Sequence, residues 1–383
     1  MTENIKPRLL IMYDYFYPAY KAGGPIQSLT NLVYSLQDDL DIFVLTGAYD
    51  LNSDQLPDVV KINGWCDVKL PGSTARIKVW YAGRGGPGAG TIKRIIEDVK
   101  PCAVYLNGMF SYRFVLIPLL TIKNTRIILS PRGMLQMGAL AGKSFKKRLF
   151  LSVLKTSGIL TKAAWHATNP DEQADIIRKF GKNSTIFIAG NIPKKPVENL
   201  HYINKNRGEL RLVYLSLITE KKNLLQLINI VAGMEENISL DIYGPVKDEA
   251  YWKTCLRIIN DSGGKVKYKG DVQPDMVQET FARYHSSVLL TKGENFGHAL
   301  YESLSVGRPV ITSYFTAWNQ LEDKKAGWNV DISADNEIAK IITEVYNLDQ
   351  PAYDLYCVGA YGLANEYYLH GFDMLSYKKM FIK

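Results

Sequence analysis

Residues 293–302 read Gly-Glu-Asn-Phe-Gly-His-Ala-Leu-Tyr-Glu, and Ser303-Leu-Ser-Val-Gly-Arg-Pro-Val-Ile311 follows at once. Two carboxylates, Glu294 and Glu302, are thus separated by seven residues. The apolar run Ser287-Val-Leu-Leu290 ahead of them predicts a strand, Glu294 closes the loop after it, and a helix is expected to begin near Gly297. Glu302 then lies about one turn inside that helix. A helix N-terminus offers free N–H groups and the positive end of the helix dipole, so it is a ready anion site. Phosphate at the helix mouth, hydroxyls toward Glu294 and further hydroxyls toward Glu302 describe the anatomy of a nucleotide sugar. Paired glutamates are more often solvated surface. The glycine-bearing backbone between these two, and Gly307-Arg-Pro-Val after them, favour a functional pair.

Other residues have types and positions suited to the same ligand. Tyr17-Pro-Ala-Tyr-Lys-Ala-Gly-Gly-Pro-Ile26 follows the first predicted strand. Gly23 and Gly24 remove Cβ atoms just before a helix, and Pro25 suits the first helical position, so a diphosphate could approach backbone there. A tight turn without a ligand is the bland alternative. Ser216-Leu-Ile-Thr-Glu-Lys-Lys-Asn-Leu224 follows the first strand of the second half, and Lys221 and Lys222 sit where an ammonium could meet a diphosphate. Asn107 ends a predicted strand and can both donate and accept hydrogen bonds; sugar contact and a turn role both remain open. Arg132, in Ser130-Pro-Arg-Gly-Met134, could bind phosphate of donor or acceptor, against the alternative of a surface arginine. Gly83-Arg-Gly-Gly-Pro-Gly88 formally fits G-x-G-x-x-G but follows a later strand and lacks a downstream ribose-binding carboxylate, so it reads as a surface loop. Asn169 and its neighbours form a capping-box-like helix start, and His166 reads as structural.

Those residues need elements to position them. Arg8–Tyr13, Asp41–Thr46, Ile77–Tyr81, Ala103–Leu106, Ile127–Ser130 and Ala164–Ala167 read as strands alternating with helices, which implies a parallel sheet covered on both faces. The pattern pauses at Ala189-Gly-Asn-Ile-Pro-Lys-Lys-Pro196, then restarts with strands at Leu210–Leu215, Leu240–Tyr243 and Val266–Lys269. The expectation is an α/β chain of two Rossmann-like domains facing a central cleft: residues 1–190, a linker at 191–207, and 208–366. Gly362–Lys383 reads as a terminal helix. In such sheets ligands bind outside the carboxyl ends of the strands.

The chain has 383 residues, room for two ordinary domains. Its 46% hydrophobic and 22% charged content is that of a globular protein. No apolar run reaches the roughly 20 residues of a membrane helix, and the N-terminus lacks the apolar core of a signal peptide. The four cysteines and five histidines show no metal-ligand spacing, and Asp39-Leu-Asp41 reads as a helix-end loop, so no metal and no cofactor are expected. Net charge is +8, which favours anionic partners. The basic, amphipathic stretch Lys143–Lys155 suits an anionic membrane surface or an ordinary solvated helix face, and nothing suggests nucleic acid. The reading is a cytoplasmic protein with reduced thiols, able to lie at the inner face of the plasma membrane.

Taken together, Ala22-Gly-Gly-Pro25, Ser130-Pro-Arg-Gly133, Lys221-Lys-Asn223, Ile242-Tyr-Gly-Pro245, Gly293–Glu302 and Gly307-Arg-Pro309 give a chain that resembles the family 4 glycosyltransferases over nearly its whole length. The resemblance implies a GT-B fold and retaining, metal-independent transfer from a nucleotide sugar to a glycan or lipid-linked oligosaccharide, often in bacterial surface polysaccharide synthesis. It implies that Glu294, Lys222 and Asn107 act at the reacting sugar and leaving diphosphate. Gly23, Gly24, Arg132, Lys221, Tyr243, Gly244, Asn295, Phe296, Gly297, His298 and Glu302 would bind the donor, with Glu302 on the ribose and the Tyr243-Gly244 strand end near the base. It also implies that the terminal helix, about 367–383, packs back on the first domain. The family carries an arginine where this chain has Leu217. That departure keeps two other readings open: a non-catalytic relative serving as a binding or partner subunit, and a sugar-nucleotide epimerase.

Overall fold

In the computed structural model, which describes residues 6–51, 56, 61–73, 75–136 and 144–382, the side chains of 144–148 excepted, the chain divides into two compact units. The first comprises Met1–Ile192 with Phe372–Lys383, and the second Pro193–Gly371.

Eight strands form the sheet of the first unit: β1 (Arg8–Met12), β2 (Asp41–Gly47), β3 (Trp65–Lys69), β4 (Arg76–Ala82), β5 (Ala103–Asn107), β6 (Arg126–Ser130), β7 (Ala163–Ala167) and β8 (Ile186–Ile188). Their order is β3-β4-β2-β1-β5-β6-β7-β8, parallel except for the β3–β4 pair. The unbroken apolar run of β1 is explained by burial on both faces. Leu9 and Ile11 join one core layer, with α1 (Gly24–Leu36); Leu10 and Met12 join the other, with α2 (Ala89–Val99). Side chains of period two thus feed two opposite cores.

The second unit repeats the plan with β9 (Leu210–Leu215), β10 (Ile238–Tyr243), β11 (Val266–Tyr268), β12 (Ser286–Leu289), β13 (Val310–Ser313) and β14 (Gly327–Val330), in the order β11-β10-β9-β12-β13-β14 and parallel throughout. In each sheet the first strand in sequence lies inside, so the winding reverses beside it: between β1 and β5 in one, between β9 and β12 in the other. Such switch points leave a crevice at the carboxyl ends, because the connections on either side run away from each other.

Two boundaries differ from the sequence reading. Residues 193–207 are part of the second unit rather than a free linker. Buried Arg308 donates to the His201 carbonyl at 2.8 Å, Tyr361 to that of Val197 at 2.6 Å, and Lys205 caps the carbonyls of Tyr346 and Leu348 at 3.0 Å. The expected single terminal helix from Gly362 is two helices. One spans Gln350–His370 and stays with the second unit; the other, Met374–Phe381, begins afresh where the Asp373 side chain accepts from the amides of Leu375 and Ser376. Tyr377, Met380 and Phe381 of that last helix are buried in the first unit's core.

Candidate active site

In the second unit the two loops that flank the β9/β12 switch point are joined to each other. The loop after β9 ends in a short 3-10 turn, Glu220–Lys222, and the loop after β12 carries Glu294. Lys222 Nζ donates to Glu294 Oε1 in an ion pair whose side chains are 17% and 14% exposed. The Lys292 amide donates to the Lys221 carbonyl at 2.9 Å, and the Glu294 amide to the Phe315 carbonyl at 2.8 Å. Two residues 72 positions apart thereby meet with complementary charge at the edge where ligands bind in this architecture.

Behind Glu294 the chain is pinned by aromatic packing. The Phe296 carbonyl accepts from Trp318 Nε1 at 2.6 Å, and its ring contacts those of Trp318, Tyr301 and Tyr367. Asn295 lies between Glu294 and this anchor, and the His298 ring meets Phe296 edge-on at 4.8 Å. Gly297, at φ 78°, caps the helix His298–Leu304. That left-handed conformation is one a side chain resists. Glu302 lies in this helix, 6% exposed, and no hydrogen bond reaches its carboxylate from the described residues. Burial pushes its pKa up to about 7, opposed in part by the charge of Lys194.

The end of β10 behaves differently at its two expected residues. The Tyr243 hydroxyl meets that of Tyr284 at 2.9 Å, which in turn donates to Asp241 at 2.8 Å, so Tyr243 is held by its own strand's packing. Gly244, at φ 129°, is where the close approach occurs: a Cβ there would stand 2.1 Å from the Ser216 carbonyl oxygen. The glycine lets the β9 and β10 loops run in contact. Leu217, at the position of the family arginine, has its carbonyl tied to the Tyr214 hydroxyl at 3.1 Å.

In the first unit, Gly23 (φ 81°) caps α1 and Gly24 is its first helical residue, with Pro25 second rather than first. The turn ahead of it is held by buried Asp50, which accepts from the amides of Tyr20 and Lys21 at 2.8 and 3.1 Å. Arg132, weighed above as a phosphate ligand or a surface arginine, is a buried hub. Its Nε donates to Asn107 Oδ1 and its Nη1 to Asn191 Oδ1, both at 2.7 Å, and its Nη2 to the Tyr105 hydroxyl at 2.8 Å. His166 completes the network between Tyr105 and the Ala189 carbonyl, with its pKa lowered to about 3 by burial and by the neighbouring Arg132 charge. Asn107 is fully buried, and its Nδ2 has no partner among the described residues.

Sequence reasoning missed Glu172. Its carboxylate accepts from the Gly133 amide (2.5 Å), the Thr168 amide (2.8 Å) and the Thr168 hydroxyl (2.7 Å), fixing the Arg132 loop to the end of β7. Its place three residues after the cap Asn169 was a signal, though only for the helix start. Of the basic stretch, Lys143 and the side chains of Lys146, Lys147 and Arg148 lie outside the described residues. The rest of its helix, Ser144–Thr156, buries Leu151 and Leu154 and exposes Leu149 and Val153. No helix among the described residues is long and apolar enough to cross a membrane.

Residues 197–355 match the family model described as glycosyl transferases group 1. The chain thus carries a glycosyltransferase domain in a GT-B fold. Solved structures of similar fold include sucrose-phosphate synthase from Thermosynechococcus elongatus (17% identity, TM-score 0.71, 94% of each chain covered). HepE from Anabaena, solved with UDP and glucose, has 15% identity and a TM-score of 0.73, with 98% of each chain covered. WaaG, a glycosyltransferase involved in lipopolysaccharide biosynthesis, has 13% identity and a TM-score of 0.67, covering 98% of this chain and all of that one. No curated protein matches the chain. The matched family segment contains Lys222, Glu294 and Glu302, so the ion pair described above belongs to the glycosyltransferase domain.

Proposed function

We propose that this glycosyltransferase is a retaining, metal-independent enzyme of the family 4 type, which moves a sugar from a nucleoside diphosphate donor to a glycan or lipid-linked acceptor. The observation that carries this is the Lys222–Glu294 pair at the β9/β12 switch point. In the free enzyme each charge neutralises the other. When the donor enters, the ammonium turns to the diphosphate and the carboxylate accepts from sugar hydroxyls. As the glycosidic bond breaks, negative charge grows on the leaving phosphate, and a preplaced ammonium stabilises it without reorganisation. Glu302 accepts the ribose hydroxyls; because its carboxyl is half protonated near pH 7, donor binding releases a proton. The UDP and glucose held by HepE support a nucleotide-sugar donor, and the involvement of WaaG in lipopolysaccharide biosynthesis supports surface polysaccharide synthesis. A cytoplasmic enzyme using the basic helix at 144–156 against an anionic membrane belongs to the same reading.

Leu217 favours one rival, a binding subunit without turnover. A panel of nucleotide sugars, assayed for nucleotide release with and without glycan acceptors, separates them. Release that Glu294→Gln abolishes supports the transferase. Nucleotide binding with no release from any donor supports the subunit, and an altered sugar nucleotide formed without acceptor supports an epimerase.

A further inference from the structure

The proposed transfer chemistry lies at the carboxyl ends of strands. The opposite edge of the first unit's sheet carries a cavity that this chemistry leaves unused. It measures about 340 Å³, and its wall includes Cys102, Arg126, Thr161, Lys162, Thr185 and Phe381. Cys102 precedes β5, Arg126 opens β6, Thr161 and Lys162 lead into β7, and Thr185 precedes β8, so the cavity runs along the amino ends of four neighbouring strands. Phe381 comes from the last helix, and its carbonyl accepts from the Cys102 thiol at 3.5 Å. All of these residues belong to the first unit. Arg126 and Lys162 bring two cations, and no acidic side chain lines the cavity among the described residues. The Arg126 guanidinium packs over the Phe187 ring at 5.2 Å, and its Nη1, though buried, has no hydrogen-bond partner among the described residues.

A second cavity on the same edge gives the contrast. It measures about 380 Å³ and is also basic, with Lys6, Arg8 and Arg76 in its wall. There each cation is committed: Lys6 Nζ to the Gln37 carbonyl at 3.2 Å, Arg8 to the Val99 carbonyl at 3.1 Å and to Asp41 at 3.6 Å, and Arg76 to the Asp67 carbonyl at 3.4 Å. A buried guanidinium N–H without an acceptor is costly. Because the Arg126 Nη1 holds no hydrogen bond, none is lost when it turns toward a ligand. A guanidinium binds phosphate through paired N–H groups, and an ammonium adds a point charge. The exposed Thr185 hydroxyl can donate to a remaining phosphate oxygen. The volume leaves room beyond a bare phosphate, at the low end of the roughly 300–1,000 Å³ usual for small-molecule pockets. We propose that this cavity is a second ligand site, remote from the donor, for a small phosphomonoester. Its phosphate is held by Arg126 and Lys162, and its organic part lies along Phe381 and Ala163.

Cys102 is an exposed thiol in the cavity wall and serves as the reporter. The full chain is alkylated with iodoacetamide, and the Cys102 peptide is followed by mass spectrometry. The probes are phosphomonoesters of glycerol, glucose and adenosine, beside inorganic phosphate, at constant ionic strength and with excess UDP to occupy a donor site. At least one phosphomonoester should slow Cys102 alkylation in a saturable way, at lower concentration than inorganic phosphate, and leave Cys66 unaffected. In Arg126→Met the half-protecting concentration should rise about ten-fold or more, the size expected when a hydrogen bond to a charged group is lost. Lys162→Met, at an exposed position, should raise it as well and serves if Arg126→Met does not fold. Half-protecting concentrations are compared, and not rates, because the Arg126 charge itself favours the Cys102 thiolate. No protection by any phosphomonoester, protection unchanged in the variants, or equal slowing at Cys66 overturns the proposal. So does inorganic phosphate protecting at the same concentration as the phosphomonoesters, which would mark a bare anion site.

Discussion

Arg132 in the first unit and Lys222 in the second stand at corresponding edges of their sheets, yet their charges are used in opposite ways. Arg132 is buried and donates to three side chains, Asn107, Asn191 and Tyr105. Lys222 reaches one carboxylate on a neighbouring loop, in a pair that keeps some contact with solvent. A cation whose donors are committed to buried acceptors cannot be withdrawn without leaving those acceptors unsatisfied. A cation in a single pair can exchange its partner for a phosphate. Arg132 is therefore a structural hub of its unit, and Lys222 is the charge that the proposed function requires to be exchangeable.

The largest expected effect breaks the exchangeable side. Glu294→Gln should lower the transfer rate about 10³-fold, near the loss seen when one preorganised group is removed from a charged transition state, with little change in the unfolding midpoint. Steady-state kinetics beside thermal melts would check it; unchanged turnover removes Glu294 from the site. Next comes the committed side. Arg132→Met should destabilise the fold by about 3 kcal/mol, because it strips partners from a buried network, as measured by denaturant unfolding. A loss under about 0.5 kcal/mol, the range of ordinary surface substitutions, would mean that the network carries no stability. Smaller again, Gly244→Ala should cost about 2 kcal/mol, since it adds a Cβ 2.1 Å from the Ser216 oxygen at positive φ; nucleotide affinity should fall with it.

The smallest effect is a pH dependence. Folded Glu302 titrates near pH 7, against an ordinary value of 4.5. Between those values the unfolded chain binds fewer protons than the folded one, so stability falls as pH rises through that window. Glu302→Gln removes the term. Its stability relative to the unaltered protein should climb from pH 4.5 to 7 and level off above. A difference that stays flat with pH would show that the carboxyl is solvated.

Much of this was legible because the features are local in sequence. The apolar alternation gave most strands, and the Glu294–Glu302 spacing with Gly297 marked the loop-to-helix junction. The strand Trp65–Lys69 was missed; it is a polar edge strand whose burial is too slight to leave a pattern. The helix break at Gly371 was missed because Asp373 caps a new helix within a stretch that reads helical throughout. Arg132 was read for its charge, while its partners come from two other segments, Tyr105 and Asn107 on β5 and Asn191 far along the chain. Buried networks assembled from distant segments have no period or motif, so nothing in the linear chain points to them.

The most direct test of the central claim, that Lys222 and Glu294 form the donor's diphosphate and sugar site, is a thermal-shift titration with UDP, GDP, ADP and dTDP. Ligand that binds only the folded chain raises its apparent stability. One of these nucleotides should shift the melt of the unaltered protein, and the shift should vanish in Lys222→Met. An equal shift in the variant would show that the nucleotide binds elsewhere and would contradict the account.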